Sequence, residues 1–474
     1  MRYLGLQIWL CSSDGPRKDA IDALQNQIEF YTREILRLRS SQNSHVPIAG
    51  MPAELLSEVF CHIVESGVEI KNLSFGIQAT PQDCDARFGI GTFGFRQVCK
   101  HWNKVAIGSP QLWVWWVAGA TKAWPLFYER SKGSPISLIW RYPRSSTVRS
   151  GVLKDAALLG RIHRLDFGGE YTHFKRLFSA LDSTSLFNAS SVRLEIAPYN
   201  RENSEERLVR FFSLSFPKLS KLDVKGFLPD PLSPAFASSI LTSLKLSSSA
   251  RDKPRYTLAQ FSRILHNLPN LQKLDLEDNA IPRIVASEVP VPYALSRLAD
   301  LTLRGMMGCI SGFMNLVDMS SPPHNIILGF RNHYDTAVPA LVDTVKGILA
   351  AYYQRTGLTY PRNAANFMVK YKHWKESGVP LIFDIKSAKS RSAPPSTPQF
   401  TLRLEFLDLY EFHQLLPLFP LKTVQSFTAD GLFFSRREYR SILWKMNHLL
   451  HLHLAALDIK PVLEAMNYNS PGAS

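Results

Sequence analysis

The chain reads as an α+β to α/β solenoid, with a small all-helical module in front of an irregular leucine-rich-repeat horseshoe. Three observations predict this. Two short amphipathic helical patterns lie near the front of the 474-residue chain. Beyond about residue 130, short L-x-x-L-x-L units recur. The middle leucines of the first six, Leu165, Leu194, Leu222, Leu244, Leu274 and Leu301, are 29, 28, 22, 30 and 27 residues apart. That spacing suits repeats that each add one strand to a stack. An ordinary α/β domain with several parallel strands is the alternative that the same units allow.

Residues 1–16 read as a flexible leader. The start, "MRYLGLQIWLCSS", faintly resembles a signal peptide, but Gln7 interrupts the apolar run and no cleavage motif follows. After the turn signal "DGP", residues 17–42 form a short coiled-coil-like helix, with Ile21, Leu24, Ile28, Tyr31, Ile35 and Leu38 in a heptad seam. Three heptads are short for a free-standing coiled coil, so packing on a neighbour and weak dimerisation fit the pattern equally.

Residues 47–116 form the helical module. In "PIAGMPAELLSEVFCHIVESG", Pro52 suits a first helical turn, and Leu55, Leu56, Val59, Phe60 and Ile63 make one apolar stripe. Gly67 reads as a stop. A loop inserted at about 68–94 follows, and a second helix is expected from Arg96 to Ile107, with Val98, Cys99, Trp102, Val105 and Ala106 on its stripe. "QLWVWW" then makes a short apolar segment. Gly89, Gly91 and Gly94 have the G-x-G-x-x-G spacing of a dinucleotide loop. No strand precedes them, however, and no acidic residue lies between Asp85 and Glu129, so the context that such a loop needs is missing. The glycines read as a lead into the second helix.

The irregular repeat-like domain spans 130–474, with units "IHRLDF", "SVRLEI", "LSKLDV", "LTSLKL", "LQKLDL", "LADLTL", "LEFLDL" and "LLHLHL". Between Leu301 and Leu407 the pattern lapses. "NIILGF" and "VPLIFDI" are candidate strands there, and helices are expected near Leu341–Tyr353 and Ala364–Glu376. Within each unit the leucines face a core and the alternating residues face outward. The outward row includes Arg164, Asp166, Arg193, Glu195, Lys221, Asp223, Lys225, Lys245, Lys273, Asp275, Arg304, Asp408, Tyr410, His451 and His453.

Composition narrows the function. The net charge is +15, but the basic residues are scattered rather than gathered into an arm. Nucleic acid is therefore a disfavoured partner, since no aromatic-interleaved basic patch or reading helix is present. Five widely spaced cysteines without a C-x-x-C pair argue for a reducing, cytoplasmic or nuclear setting and against a zinc site. No apolar window is long enough for a membrane span. No P-loop, G-x-S-x-G or H-E-x-x-H motif is found, so no enzyme activity, catalytic residue, metal or cofactor is expected.

"MPAELLSEVFCHIV" followed by "FRQVCKHWNKVAIGSPQLW" resembles the F-box, in the version common in mushroom-forming fungi. The resemblance is specific over residues 47–113 and architectural beyond them, and the loop at about 68–94 departs from the family pattern. It implies a substrate receptor of an SCF-type ubiquitin ligase, docked on a Skp-type adaptor and through it on a cullin scaffold. Matched to that motif, adaptor contact falls to Pro52, Leu55, Leu56, Val59, Phe60, Val98, Cys99 and Trp102. Arg164, Arg193, Lys221, Lys245 and Lys273 would then face an acidic or phosphorylated protein substrate, because arginine forks match phosphate oxygens. A scaffold without ligase output, and a basic nucleic-acid-binding repeat protein, are the competing readings.

Overall fold

The computed structural model describes residues 14–45, 47–74, 98–117, 124–141, 160–169, 174, 188–196, 216–248, 256–283, 293–294, 296–314, 317–318, 323–331, 339, 342–348, 350, 366–371, 381–386, 401–407, 415–418, 424, 426–430, 436–447, 449–455 and 462–463. The chain forms two compact units, Met1–Ile136 with Arg144–Val148, and Ser137–Pro143 with Arg149–Ser474.

The first unit contains α1 (Asp14–Ser44), α2 (Ala53–Ser74), α3 (Lys100–Gly108), β1 (Trp115–Val117) and α4 (Trp124–Arg130). The Pro52 carbonyl accepts the first helical bond from the Leu56 N–H at 3.0 Å, so Pro52 caps α2 rather than occupying its first turn. α2 also runs through Gly67, where a stop was expected, because a lone glycine costs only about 1 kcal/mol in a helix. α3 starts four residues later than the stripe suggests. Cys99 is extended, and its Sγ accepts the Trp102 N–H at 3.5 Å, which ends the helix there.

Leu56, Phe60 and Val64 lie one turn apart on α2 and are buried with Val105 and Ala106 of α3. The Trp-rich segment closes the same unit. Trp113 Nε1 donates to the Ala106 carbonyl at 2.9 Å, and Trp116 Nε1 donates to the Trp113 carbonyl at 3.0 Å. Phe127 of α4 meets the Trp113 ring edge-on, and the Arg130 guanidinium lies 4.4 Å above that ring.

The second unit is built on one sheet. Its strands are β2 (Ile136–Arg141), β3 (Ile162–Gly169), β4 (Ser191–Ile196), β5 (Lys221–Lys225), β6 (Ser243–Ser248), β7 (Lys273–Asp278), β9 (Asp300–Met306), β11 (Asn325–Arg331), β12 (Asn366–Tyr371), β13 (Leu381–Lys386), β14 (Thr401–Leu407), β15 (Ser426–Asp430) and β16 (His451–Ala455). β8 (Tyr293–Ala294) and β10 (Val317–Asp318) pair separately. The spatial order is β2-β3-β4-β5-β6-β7-β9-β11-β14-β13-β12-β15-β16. From β3 to β14 every neighbouring pair is parallel. Helices α5 (Leu258–His266), α6 (Met307–Met314) and α7 (Arg436–Leu443) fall between strands. α5 starts on a full capping box, Thr257 with Gln260.

This corrects the expected architecture. The chain is an α/β protein on a largely parallel sheet, not an all-helical module followed by a leucine-rich-repeat horseshoe. A solenoid lays its strands in chain order, because each repeat packs only on the next. Here β14 lies beside β11, β13 runs antiparallel to both β14 and β12, and β15 joins the far side of β12. The first unit is not all-helical either, since it carries β1. The helix expected at Ala364–Glu376 is a strand over Asn366–Tyr371, where Phe367, Val369 and Tyr371 alternate in an antiparallel ladder with β13.

The leucine units do become strands, and their entry turns fix the register. Ser190 Oγ donates to the His163 carbonyl, Ser220 Oγ to the Ser190 carbonyl and Thr242 Oγ1 to the Ser220 carbonyl, at 2.9–3.1 Å. Each hydroxyl thus ties one turn to the turn before it. The sheet register is Leu165↔Val192↔Leu222↔Leu244↔Leu274↔Leu301. One unit is out of step with the sequence pattern: Val192, not Leu194, aligns with the other leucines. A slip of two residues keeps Val192, Leu194 and Ile196 on the buried face, as the period of a strand requires.

Candidate functional sites

The eight residues matched to an adaptor surface fall into two sets. Leu56 and Phe60 are fully buried. Trp102 is half-buried, with its ring edge-on to Phe60 at 5.2 Å between centroids, and Cys99 is the helix cap described above. Leu56, Phe60 and Trp102 pack between α2 and α3, and Cys99 fixes where α3 begins. Pro52, Leu55, Val59 and Val98 are exposed, Leu55 to 51 % and Val98 to 41 %. Ile63, absent from the expected contact set, is also exposed, at 48 %. Residues 52, 55, 59 and 63 step by three and four, so they form one row along α2. The buried row 56, 60, 64 lies one residue, about 100°, around the helix. α2 therefore spends one apolar row on its own unit and presents a second to solvent. Burial also pushes the Cys61 thiol above its ordinary value, with Glu65 and Glu58 adding to the rise and a Ser57 hydrogen bond opposing it.

The outward residues of the sheet occupy three rows. One row reads Arg164, Ser191, Lys221, Ser243, Lys273 and Asp300 on successive strands. The next reads Asp166, Arg193, Asp223, Lys245, Asp275 and Thr302, and the third includes Glu195, Lys225, Ser247, Glu277 and Arg304. Sequence alignment puts Arg193 in the first row, beside Arg164 and Lys221. The two-residue slip of β4 moves it to the second, between Asp166 and Asp223, where it meets opposite rather than like charge.

The second and third rows are stitched by ion pairs. Arg193 lies 3.3 Å from Asp223 and 3.9 Å from Glu195, and Lys225 Nζ donates to Glu195 Oε1 at 2.7 Å. Lys245 Nζ donates to Asp275 Oδ2 at 2.7 Å, and Arg304 lies 3.7 Å from both Asp275 and Glu277. Asp166 and Asp275 are buried rather than exposed. Of the five cations assigned to substrate, Arg193 and Lys245 are thus occupied within the sheet. Arg164, Lys221 and Lys273 share the first row on alternate strands, about 10 Å apart at ordinary strand spacing. Lys221 and Lys273 are exposed and Arg164 is half-buried. His451 and His453 of β16 are exposed, while Asp408 and Tyr410 lie outside the described residues, as do Gly89, Gly91 and Gly94.

Burial raises the Asp223 carboxyl above its ordinary 3.8, with help from Asp275 and Asp166 and against the charges of Arg193 and Lys245. Lys245 shows the reverse balance. Burial lowers it, but the charge and hydrogen bond of Asp275 carry it above 10.5. A lysine raised in this way contributes stability below 10.5 that is lost as pH climbs through the folded value. A raised carboxyl favours the folded state below 3.8, and that benefit disappears as pH rises through its folded midpoint. In an NMR titration, Asp223 is therefore expected to titrate above 3.8, and higher still in Arg193→Gln. A midpoint at or below 3.8 would contradict the dominance of burial at Asp223, and one that falls in the variant would contradict its ion pair with Arg193.

Among the described residues, no group of three or more His, Cys, Asp or Glu is placed to hold a metal ion, and no helix is long and apolar enough to cross a membrane. Cys61, Cys99 and Cys309 form no disulfide. No protein-family model matches the chain, and no curated protein matches it.

Proposed function

We propose that the chain is a non-catalytic substrate-recognition subunit of an SCF-type E3 ubiquitin ligase. The exposed row of α2 docks a Skp-type adaptor, and through it a cullin scaffold. The exposed cations of the first row, Lys221 and Lys273, receive an acidic or phosphorylated segment of a protein substrate. The observation that carries this reading is the second apolar row of α2. Pro52, Leu55, Val59 and Ile63 remain open although Leu56, Phe60 and Val64 already fill the core of the unit. A helix with two apolar rows and one filled needs a partner for the other. The resemblance of residues 47–113 to the F-box names the partner class.

The test is capture on immobilised Skp-type adaptor of the wild type and of Leu55→Asp and Val59→Asp. Both positions are exposed, so circular dichroism is expected to stay unchanged. Full burial of a leucine is worth about 1.5–3 kcal/mol, so each charge should weaken capture about tenfold or more. Capture without ubiquitin transfer in a reconstituted ligase would identify a scaffold instead. Equal capture of wild type and both variants would remove the reading.

A further inference from the structure

α1 is a 31-residue helix whose whole heptad seam is open. Ile21, Leu24, Ile28, Tyr31, Ile35 and Leu38 are each between 51 % and 65 % exposed. Helices in proteins take most of their stability from packing an apolar face rather than from propensity, and this seam has no such packing within its own chain. The seam covers about 26 Å of helix at 1.5 Å per residue. A partner must therefore cover it, and its residues specify which one.

We infer that α1 pairs with α1 of a second copy of this chain, as a parallel, in-register, two-stranded coiled coil. Two features of the helix point there. Ile21, Ile28 and Ile35 occupy the three central a positions, between Asp14 and Gln42 at the helix ends, while Leu24, Tyr31 and Leu38 occupy d. Beta-branched residues at a with leucine at d favour two parallel strands over trimers or tetramers. The charges agree with that arrangement. Glu34 falls at g and Arg39 at the following e, so in the parallel register each Glu34 faces Arg39 across the seam, twice per dimer. Within one helix Glu34 already meets Arg37 at 3.0 Å, on the solvent side. Phe30, at c on the outer side of the helix, lies edge-on to Tyr31 with centroids 5.6 Å apart.

The consequence is bivalence. A paired receptor carries two α2 faces and two cation rows, and linked sites raise avidity for a substrate with two recognition segments. This pairing does not depend on the ligase reading, because it uses a different helix and needs no adaptor.

The experiment is sedimentation equilibrium on the full chain without any partner, over a concentration series. The wild type is expected to approach twice the monomer mass. Ile28→Asp and Ile35→Asp each place two charges in the dimer seam and should raise the dissociation constant by at least about a hundredfold. Both positions are exposed in the single chain, so thermal melting of the monomer should not change. Orientation is read from the charge swap. Arg39→Glu should weaken the dimer, and Glu34→Arg combined with Arg39→Glu should bind more tightly than Arg39→Glu alone. A chain that stays monomeric at every concentration would overturn the proposal. So would a dimer that survives Ile28→Asp and Ile35→Asp, while a double swap no tighter than the single would overturn the parallel register. Loss of adaptor capture with the dimer intact would remove the ligase reading and leave this one standing.

Discussion

Trp113→Ala is expected to destabilise the first unit by about 3–5 kcal/mol, the range for removing a fully buried aromatic side chain. Trp113 is 1 % exposed, and its side chain joins α3 to α4. Its ring receives the edge of Phe127 from α4 and carries the Arg130 guanidinium 4.4 Å above its face. Its Nε1 donates to the carbonyl of Ala106 at 2.9 Å, near the end of α3. Truncation leaves a cavity, an uncovered cation and a buried carbonyl without its donor, and the costs of a cavity and a lost bond add. Trp444→Ala is the control. Trp444 is exposed, and its guanidinium neighbour Arg440 lies farther off, at 5.5 Å. That change should fall within about 0.5 kcal/mol of wild type. Denaturant unfolding followed by tryptophan fluorescence measures both, and similar midpoints for the two variants would contradict the anchoring role of Trp113.

Gly226→Ala is expected to cost about 2–6 kcal/mol, from backbone strain and overpacking together. Gly226 follows β5 with φ +98°, a conformation that side chains with a Cβ rarely adopt. A Cβ built there lies 2.1 Å from the main-chain oxygen of Ile196, at the end of β4. Main chain cannot rotate away as a side-chain tip can, so β4 would have to shift. The Gly226 N–H also donates to the Ser247 carbonyl at 2.8 Å, which holds the residue against β6. Gly308→Ala is the contrast, because nothing lies within 4 Å of its added Cβ in α6. It should be neutral or stabilising by up to about 1 kcal/mol. Equal thermal shifts for the two variants would contradict the described turn.

What was legible in the sequence followed local period, and what was hidden needed distant pairing. Alternating leucines marked β3, β5, β6, β7 and β9, because period two is a property of one strand alone. The order β11-β14-β13-β12-β15 left no local trace, since hydrogen bonding between strands far apart in the chain depends on neither strand's pattern by itself. For the same reason "NFMVKY" suggested a helix until β13 supplied its ladder partner. The candidate sites divide in the same way. The apolar stripe of α2 could be read from its spacing, but Leu55 and Leu56 are chain neighbours, and only the position of α3 decides which is covered. Arg193 could be placed among the outward residues, yet its row depends on the two-residue slip of β4. The alternation of Asp166, Arg193, Asp223, Lys245 and Asp275 becomes visible once that slip is known, and it was the signal that the sequence alignment missed.

The central claim is that α2 keeps one apolar row for its own unit and offers the other to an adaptor. Calorimetric titration of Skp-type adaptor into Leu55→Asp and Leu56→Ala tests it most directly, with the melting temperature of each variant measured alongside. The account predicts that Leu55→Asp melts like wild type and loses affinity about tenfold or more, whereas Leu56→Ala loses about 2–5 kcal/mol of stability. Unchanged affinity in a folded Leu55→Asp variant would contradict it.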